Sequence, residues 1–155
     1  QFESSYADAF DSDFCNLFFD NCIFKDSGND ALDVSGSDGS VRNSNFTSSQ
    51  DKAVSAGENS NLSICNSSFQ MNELAVVAKD GSSIEIKDTH FSDNRLDIAA
   101  YRKKLEYPEA KLFIDHNELL TVLIEEGVIT NFECEKVKNI SSVMYGNQYG
   151  KASKR

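Results

Sequence analysis

Apolar runs of three to five residues recur along this chain with polar turns between them, and the recurrence is periodic. Phe2, Phe24, Phe46, Phe69 and Phe91 follow one another at a near-constant interval of about 22 residues. Three positions before the last four of these stand Asn21, Asn43, Asn66 and Asp88, so a second column keeps the same register. Five positions before them come Phe19, Val41, Ile64 and Ile86, and seven before come Leu17, Gly39, Leu62 and Ile84. That alternation is one face of a strand. Cys22, Ser44, Ser67 and Thr89, two positions before each phenylalanine, form a column of small residues.

After each phenylalanine the chain passes a polar turn and enters a second apolar stretch. Asp8-Ala9-Phe10-Asp11, Asp30-Ala31-Leu32-Asp33-Val34, Asp51-Lys52-Ala53-Val54, Glu73-Leu74-Ala75-Val76-Val77 and Arg95-Leu96-Asp97-Ile98-Ala99 recur at nearly the same interval. Gly28, Gly36, Gly39, Gly57 and Gly81 fall between the runs, where a turn needs them. A repeat this short, with no helical period, buries its apolar face only by stacking on copies of itself. Identical positions then sit about 4.8 Å apart, one coil above the next. The reading places the Phe and Asn columns inside the coil, with an amide ladder running along the Asn column, and an acidic column at a turn. A leucine-rich repeat would need spaced leucines and a helical half, and a propeller about 40 residues per blade.

With these columns, and with the runs DAFDSDF, DALDVSGS and NSNFTSSQDKAVSAGENS, the chain resembles the right-handed parallel β-helix, pectin-lyase-like superfamily, and in particular bacterial β-helix repeat proteins. The resemblance covers about residues 2–117. It implies an all-β solenoid of five to six coils, and an extracytoplasmic or cell-surface setting in bacteria. For activity it implies little, since the superfamily holds lyases, hydrolases, epimerases, adhesins and non-catalytic domains.

Residues 1–117 read as coils, the C-terminal part of a longer solenoid, and residues 118–155 as a last coil, cap and basic tail. Repeat quality falls after Ala100, where residues 101–104 make a polar excursion and Pro108 a turn. Leu112, Ile114 and Leu119 recover one degenerate coil, with His116 in the asparagine column. TVLIEEGVITNF reads as strand, turn and strand, with a short amphipathic helix as the alternative. Such an end covers the open cross-section of a solenoid, and residues 145–155 run along the outside or fray.

Composition narrows the function classes. A net charge of −10 repels phosphate backbones and argues against nucleic-acid binding. The longest apolar run, around Val122, Leu123 and Ile124, is too short to insert in a bilayer. Cys15, Cys22, Cys65 and Cys134 lack metal-ligand spacing and read as buried free thiols, although Cys15 and Cys22 are close enough for a bridge. The DGS runs at residues 38–40 and 80–82 are turns, without the rest of a calcium loop.

The acidic column comprises Asp8, Asp30, Asp51 and Glu73, with Asp11, Asp33 and Asp97 nearby. Carboxylates stacked at about 5 Å repel by roughly 3 kcal/mol per pair at an effective dielectric near 20, so something compensates. The resemblance offers Ca²⁺ at Asp8, Asp30, Asp51, Glu73, Asp11 and Asp33. The plainer reading is that each carboxylate accepts backbone amides at its own turn, with no cofactor.

A lyase or epimerase would need a base beside groups that neutralise a sugar carboxylate. The candidates are Lys79, Arg95, Asp97, Tyr101 and Arg102, with Lys52 and Lys103 behind them. A salt bridge from Arg95 to Glu73 is the structural alternative, and packing accounts for His90 and His116. The reading favours a non-catalytic scaffold or binding module of a larger exported or surface protein, contacting polysaccharide or protein, over a lyase or C5-epimerase acting on uronate polymers. An exposed N-terminal coil adds self-association as a further expectation.

Overall fold

Parallel pairing between residues one repeat apart builds the molecule, and a computed structural model describes residues 1–115 and 120–145. The first coil is β1 (Phe2–Glu3), β2 (Phe10–Asp13) and β3 (Asn16–Asp20). The second is β4 (Ile23–Lys25), β5 (Leu32–Ser35) and β6 (Asp38–Arg42), and the third β7 (Asn45–Thr47), β8 (Lys52–Gly57) and β9 (Asn61–Cys65). β10 (Ser68–Gln70), β11 (Leu74–Lys79) and β12 (Ser83–Lys87) form the fourth. The fifth is β13 (His90–Ser92), β14 (Leu96–Tyr101) and β15 (Lys111–Asp115). β16 (Val122–Glu125), β17 (Ile129–Thr130) and β18 (Lys136–Val137) follow, then a short helix, α1 (Ile140–Met144).

The strands stack into three sheets. Sheet A is β1-β4-β7-β10-β13, sheet B is β2-β5-β8-β11-β14-β16-β18, and sheet C is β3-β6-β9-β12-β15-β17. Every pairing among the described residues is parallel. The strand, turn and strand read in TVLIEEGVITNF are β16, the turn at Glu126 and Gly127, and β17. They lie in register on β14 and β15, so the stack continues past residue 117. His116, Leu119 and the tail from residue 146 lie outside the described residues.

Five phenylalanines form the spine of the core. Phe2, Phe24, Phe46, Phe69 and Phe91 pair in register, with stacked rings whose centroids are 4.6, 4.6, 4.8 and 5.2 Å apart. Sheet B adds Leu32, Val54, Val76 and Ile98, and sheet C adds Val41, Ile64 and Ile86, all buried. Gly39 interrupts the Leu17 and Leu62 column because a Cβ there would lie 2.4 Å from the Leu17 carbonyl oxygen.

The asparagine column is not inside. Asn21, Asn43, Asn66 and Asp88 are exposed, with φ of 55°, 50°, 48° and 46°, at the bend between sheets C and A. That left-handed bend is open to Asn and Asp because their short polar side chains tolerate it. Of the expected amide ladder, Asn66 Nδ2 donates to Asn43 Oδ1 at 2.6 Å, whereas Asn43 Nδ2 turns to Asp20 Oδ1.

The polar columns inside are at the corners. Ser44 Oγ accepts the Cys22 amide of the neighbouring coil at 3.1 Å and donates to its own Arg42 carbonyl at 2.6 Å. Ser37 does the same for Cys15 and Ser35, and Ser37 N in turn donates to Ser60 Oγ. At the corner between sheets A and B, Asn72 Oδ1 accepts the Ser49 amide and Asn72 Nδ2 donates to the Phe46 carbonyl, and Asn94 repeats the pattern. Cys15 and Cys22 thus begin two serine columns. All four cysteines are free, but Cys15 is exposed and the others only partly covered, which corrects the expectation of buried thiols.

Coil length varies at the corners rather than in the strands. Val34 precedes the neighbouring column at Gly39 by five positions, Ala56 precedes Leu62 by six, and Ala100 precedes Leu112 by twelve. The extra residue of the third coil enters at Glu58 and Asn59, both with positive φ.

Phe46→Ala removes a fully buried ring from mid-stack and should cost about 3–5 kcal/mol in urea unfolding, more than Phe91→Ala at the end of the column. Ser27 and Ser49 sit in the column of Asn72 and Asn94, yet their buried Oγ atoms have no hydrogen-bond partner. Ser49→Asn should therefore raise the melting temperature by restoring the pattern of Asn72, a gain of about 1 kcal/mol; an unchanged or lower melting temperature would refute the corner-ladder account.

Candidate functional site

A bulge at the start of the sheet B strands sets what faces outward. Ala31 and Leu32, Ala53 and Val54, and Ala75 and Val76 all enter the core, whereas Leu74 and Val77 pack in a separate outer cluster. The outward columns are therefore Asp8, Asp30, Lys52, Leu74 and Leu96, then Asp11, Asp33, Ser55, Val77 and Ala99, then Asp13, Ser35, Gly57, Lys79 and Tyr101. The N-terminal half of this face is acidic. The C-terminal half is apolar, and Ile140 and Met144 of α1 cover it together with Tyr145.

The single acidic column read from sequence is split by this register. Asp8 and Asp30 share a column whose next member is Lys52, while Asp51 and Glu73 belong to the neighbouring one. Asp51 matches Asp30 in side-chain type but falls one position short of the backbone register, which aligns Asp30 with Lys52.

Compensation comes from the chain itself. Asp8 Oδ1 accepts Asn29 Nδ2 at 2.6 Å and the Asp30 amide at 2.9 Å. Asp30 Oδ1 accepts the Lys52 amide at 3.0 Å, and Lys52 Nζ lies 3.4 Å from Asp30 and 2.8 Å from Asp51. Glu73 pairs with Arg95.

Calcium takes about six to eight oxygen ligands. Asp8, Asp30, Asp51 and Glu73 do not fit that demand, with their oxygens spent on amides, an ammonium and a guanidinium. Among the described residues no three carboxylate, histidine or cysteine side chains converge for a metal. Asp11 and Asp33 lie one above the other on the open part of the face.

Lys52, Asp30 and Asp51 are buried. Burial raises the Asp30 carboxyl to about 7, with Lys52 opposing and Asp51 and Asp33 reinforcing the rise. Burial also disfavours the Lys52 ammonium, but Asp30 and Asp51 outweigh it and hold it charged beyond the usual lysine range. The sequence columns did not bring this cluster together, although Lys52 stands one full repeat after Asp30.

The catalytic candidates do not converge. Lys79 lies 3.9 Å from Asp33. Arg95 is at the opposite end of sheet B with Glu73. Asp97 takes the place of Ala31, Ala53 and Ala75, and binds the Thr121 amide and hydroxyl at 2.9 and 2.7 Å, with Asn94 Nδ2 at 3.0 Å. Tyr101 is not part of a polar excursion: it ends β14, is fully buried, and its hydroxyl shares a 3.0 Å hydrogen bond with Tyr145. Burial first, and Tyr145 second, push the Tyr101 phenol up. Arg102 pairs with Glu109 at 3.1 Å.

The open face is on sheet C. An aromatic and polar groove of about 480 Å³ is lined by Phe18, Asp38, Ser40, Arg42, Asn61 and Glu85, among others. Phe18 is 81% exposed and stands in the outward column with Ser40, Ser63 and Glu85, so small side chains floor the groove beside the ring. Asn61 Nδ2 bridges to Asp38 Oδ1 at 2.7 Å along one rim. On the other, Arg42 has no ion-pair or side-chain hydrogen-bond partner among the described residues. A signal was present in the sequence, since Phe18 breaks the alternation between inward Leu17 and Phe19.

Three parallel sheets wound about one core, with ladders at each corner, define a parallel β-helix, the fold of a scaffold or binding-type domain. The family described as the right handed beta helix region matches residues 2–147, and the chain belongs to it. No curated protein and no solved structure matches the chain.

Folding raises the Asp30 pKa, so the folded state keeps a proton that the unfolded chain releases at about pH 3.9. Its contribution is fully present below that value and is lost as pH rises toward about 7. Urea unfolding of the native chain against Asp30→Asn should show this falling component in the native chain only; parallel curves would exclude it.

Proposed function

We propose that this chain is a non-catalytic β-helix binding module of a larger exported or surface protein, and that the outer face of sheet C contacts a polysaccharide. The exposed Phe18 ring beside a floor of Ser40 and Ser63 carries this reading. A sugar ring stacks its apolar face on such an aromatic, while hydroxyl groups exchange hydrogen bonds with Asn16, Asp38 and Asn61 along the rim. Sheet strands repeat at about 4.8 Å, so a saccharide chain lying along the sheet crosses one coil after another. Arg42 adds a cation suited to a uronate or other acidic sugar.

The dispersal of Lys79, Arg95, Asp97, Tyr101 and Arg102 favours this binding reading over a lyase or C5-epimerase, which needs its base and carboxylate clamp together. Affinity electrophoresis against neutral and uronate polymers tests it. Phe18→Ala should weaken retention about tenfold, the loss of roughly 1.4 kcal/mol. Arg42→Ala should weaken retention on uronate polymers more than on neutral ones. Retention indifferent to Phe18→Ala, or chain cleavage by the native protein, would overturn the proposal.

A further inference from the structure

We infer that Lys52 and Asp30 join in an intramolecular isopeptide bond, formed by the chain itself with Asp51 as the proton carrier. The site lies on sheet B, apart from the sheet C groove, so the inference stands whether or not that groove binds a polysaccharide.

The three side chains are enclosed together. Lys52, Asp30 and Asp51 expose only 7%, 4% and 3% of their side chains. Lys52 Nζ lies 3.4 Å from Asp30 Oδ1 and 2.8 Å from Asp51 Oδ2. Beyond Lys52 in its column stands Leu74, buried in the apolar cluster that α1 covers, so one wall of the site is dry. A buried ammonium and carboxylate lose hydration that their mutual attraction returns only in part. Condensing them to an amide removes both charges, and the fold already holds the reacting groups in contact.

Each group has a part in the reaction. Burial raises the Asp30 carboxyl to about 7, so near neutral pH a large share of it is the neutral acid that an amine attacks. Asp30 and Asp51 hold Lys52 as the ammonium, so a base must free its lone pair, and Asp51 is in hydrogen-bond contact to do so. The Lys52 backbone amide donates to Asp30 Oδ1 at 3.0 Å, where negative charge gathers as the carboxyl carbon becomes tetrahedral.

The reaction is a condensation. Asp51 takes one proton from the Lys52 ammonium, and the freed amine attacks Cγ of the protonated Asp30 carboxyl, forming the carbon–nitrogen bond. Asp51 then gives its proton to Oδ2, which breaks from Cγ and departs as water, and takes the second proton from the nitrogen. The products are an amide, one water and a neutral Asp51 carboxyl, so atoms, protons and charge balance and no oxidant or cofactor is used. Asp30 and Lys52 stand 22 residues apart, one repeat, so the bond ties the second coil to the third outside the hydrogen-bonded ladder. Asp30 titrates only in the chain that has not yet formed it.

Intact-mass spectrometry of the full chain, followed through prolonged incubation at neutral pH, tests the bond. The expected result is a population lighter by one water, present on purification or growing with time. In that population the Lys52-Ala53 bond resists trypsin, and fragment ions join Asp30 to Lys52. Lys52→Arg keeps the cation without the nucleophilic amine and should hold its full mass. Asp51→Asn should slow the loss of water about a hundredfold. Should either variant fold poorly, the time course and tryptic map of the native chain decide alone. A native chain that stays at full mass overturns the inference. So does water lost as a cyclic imide at Asp38-Gly39 or Asp80-Gly81 with residues 30 and 52 unlinked, or an equal loss from Lys52→Arg.

Discussion

In the coils each strand residue is bound through its backbone to its counterpart one repeat away, so every side chain must tolerate a neighbour from its own column about 4.8 Å off. Apolar columns meet that demand easily. Phe2 through Phe91 stack face to face because the backbone imposes it, and edge-on contacts of Phe10 and Phe19 with their neighbours complete the packing. Cooperativity follows, since a coil removed from the middle leaves two apolar cross-sections and two sets of unpaired edges.

Charge is the difficult case. Like charges in one column repel, and the chain answers with short alternations: Asp30 above Lys52, Glu73 beside Arg95, Glu3 beside Lys25. Where the alternation fails, at Asp11 and Asp33, the carboxylates crowd one face. Hydroxyls and amides avoid the problem, because each both donates and accepts. Serine and asparagine therefore hold most of the buried corners, and where aspartate and lysine are buried together, as at Asp30, Asp51 and Lys52, they are ion-paired.

The apolar columns were legible in the sequence because burial and strand alternation act together on phenylalanine, valine and isoleucine. The asparagine column was found but turned inside out, since periodicity reports register and not direction. Asn21, Asn43, Asn66 and Asp88 recur because a left-handed bend recurs, which spacing alone does not distinguish from an internal ladder. The acidic column failed for another reason. Asp51 stands one position short of the column of Asp30, and since coils do differ in length by a residue elsewhere, as at Glu58 and Asn59, the match in side-chain type there outweighs the exact repeat interval that aligns Asp30 with Lys52. Phe18 was visible as a break in alternation, but its open setting depends on Ser40 and Ser63 in the two coils stacked beyond it.

The growing corner between sheets B and C makes the solenoid behave like a rack with one open slot. Five positions suffice between the second-coil columns, six in the third, and twelve in the fifth, while strand registers on either side stay aligned. Length added there is absorbed outside the hydrogen-bonded frame, anchored in the fifth coil by the amides of Lys103 and Lys104 on Asp80 Oδ1 at 2.7 Å. A foreign peptide grafted at that corner would be displayed on a rigid spacer whose pitch is already fixed, which makes this a natural insertion point for building new recognition onto the fold.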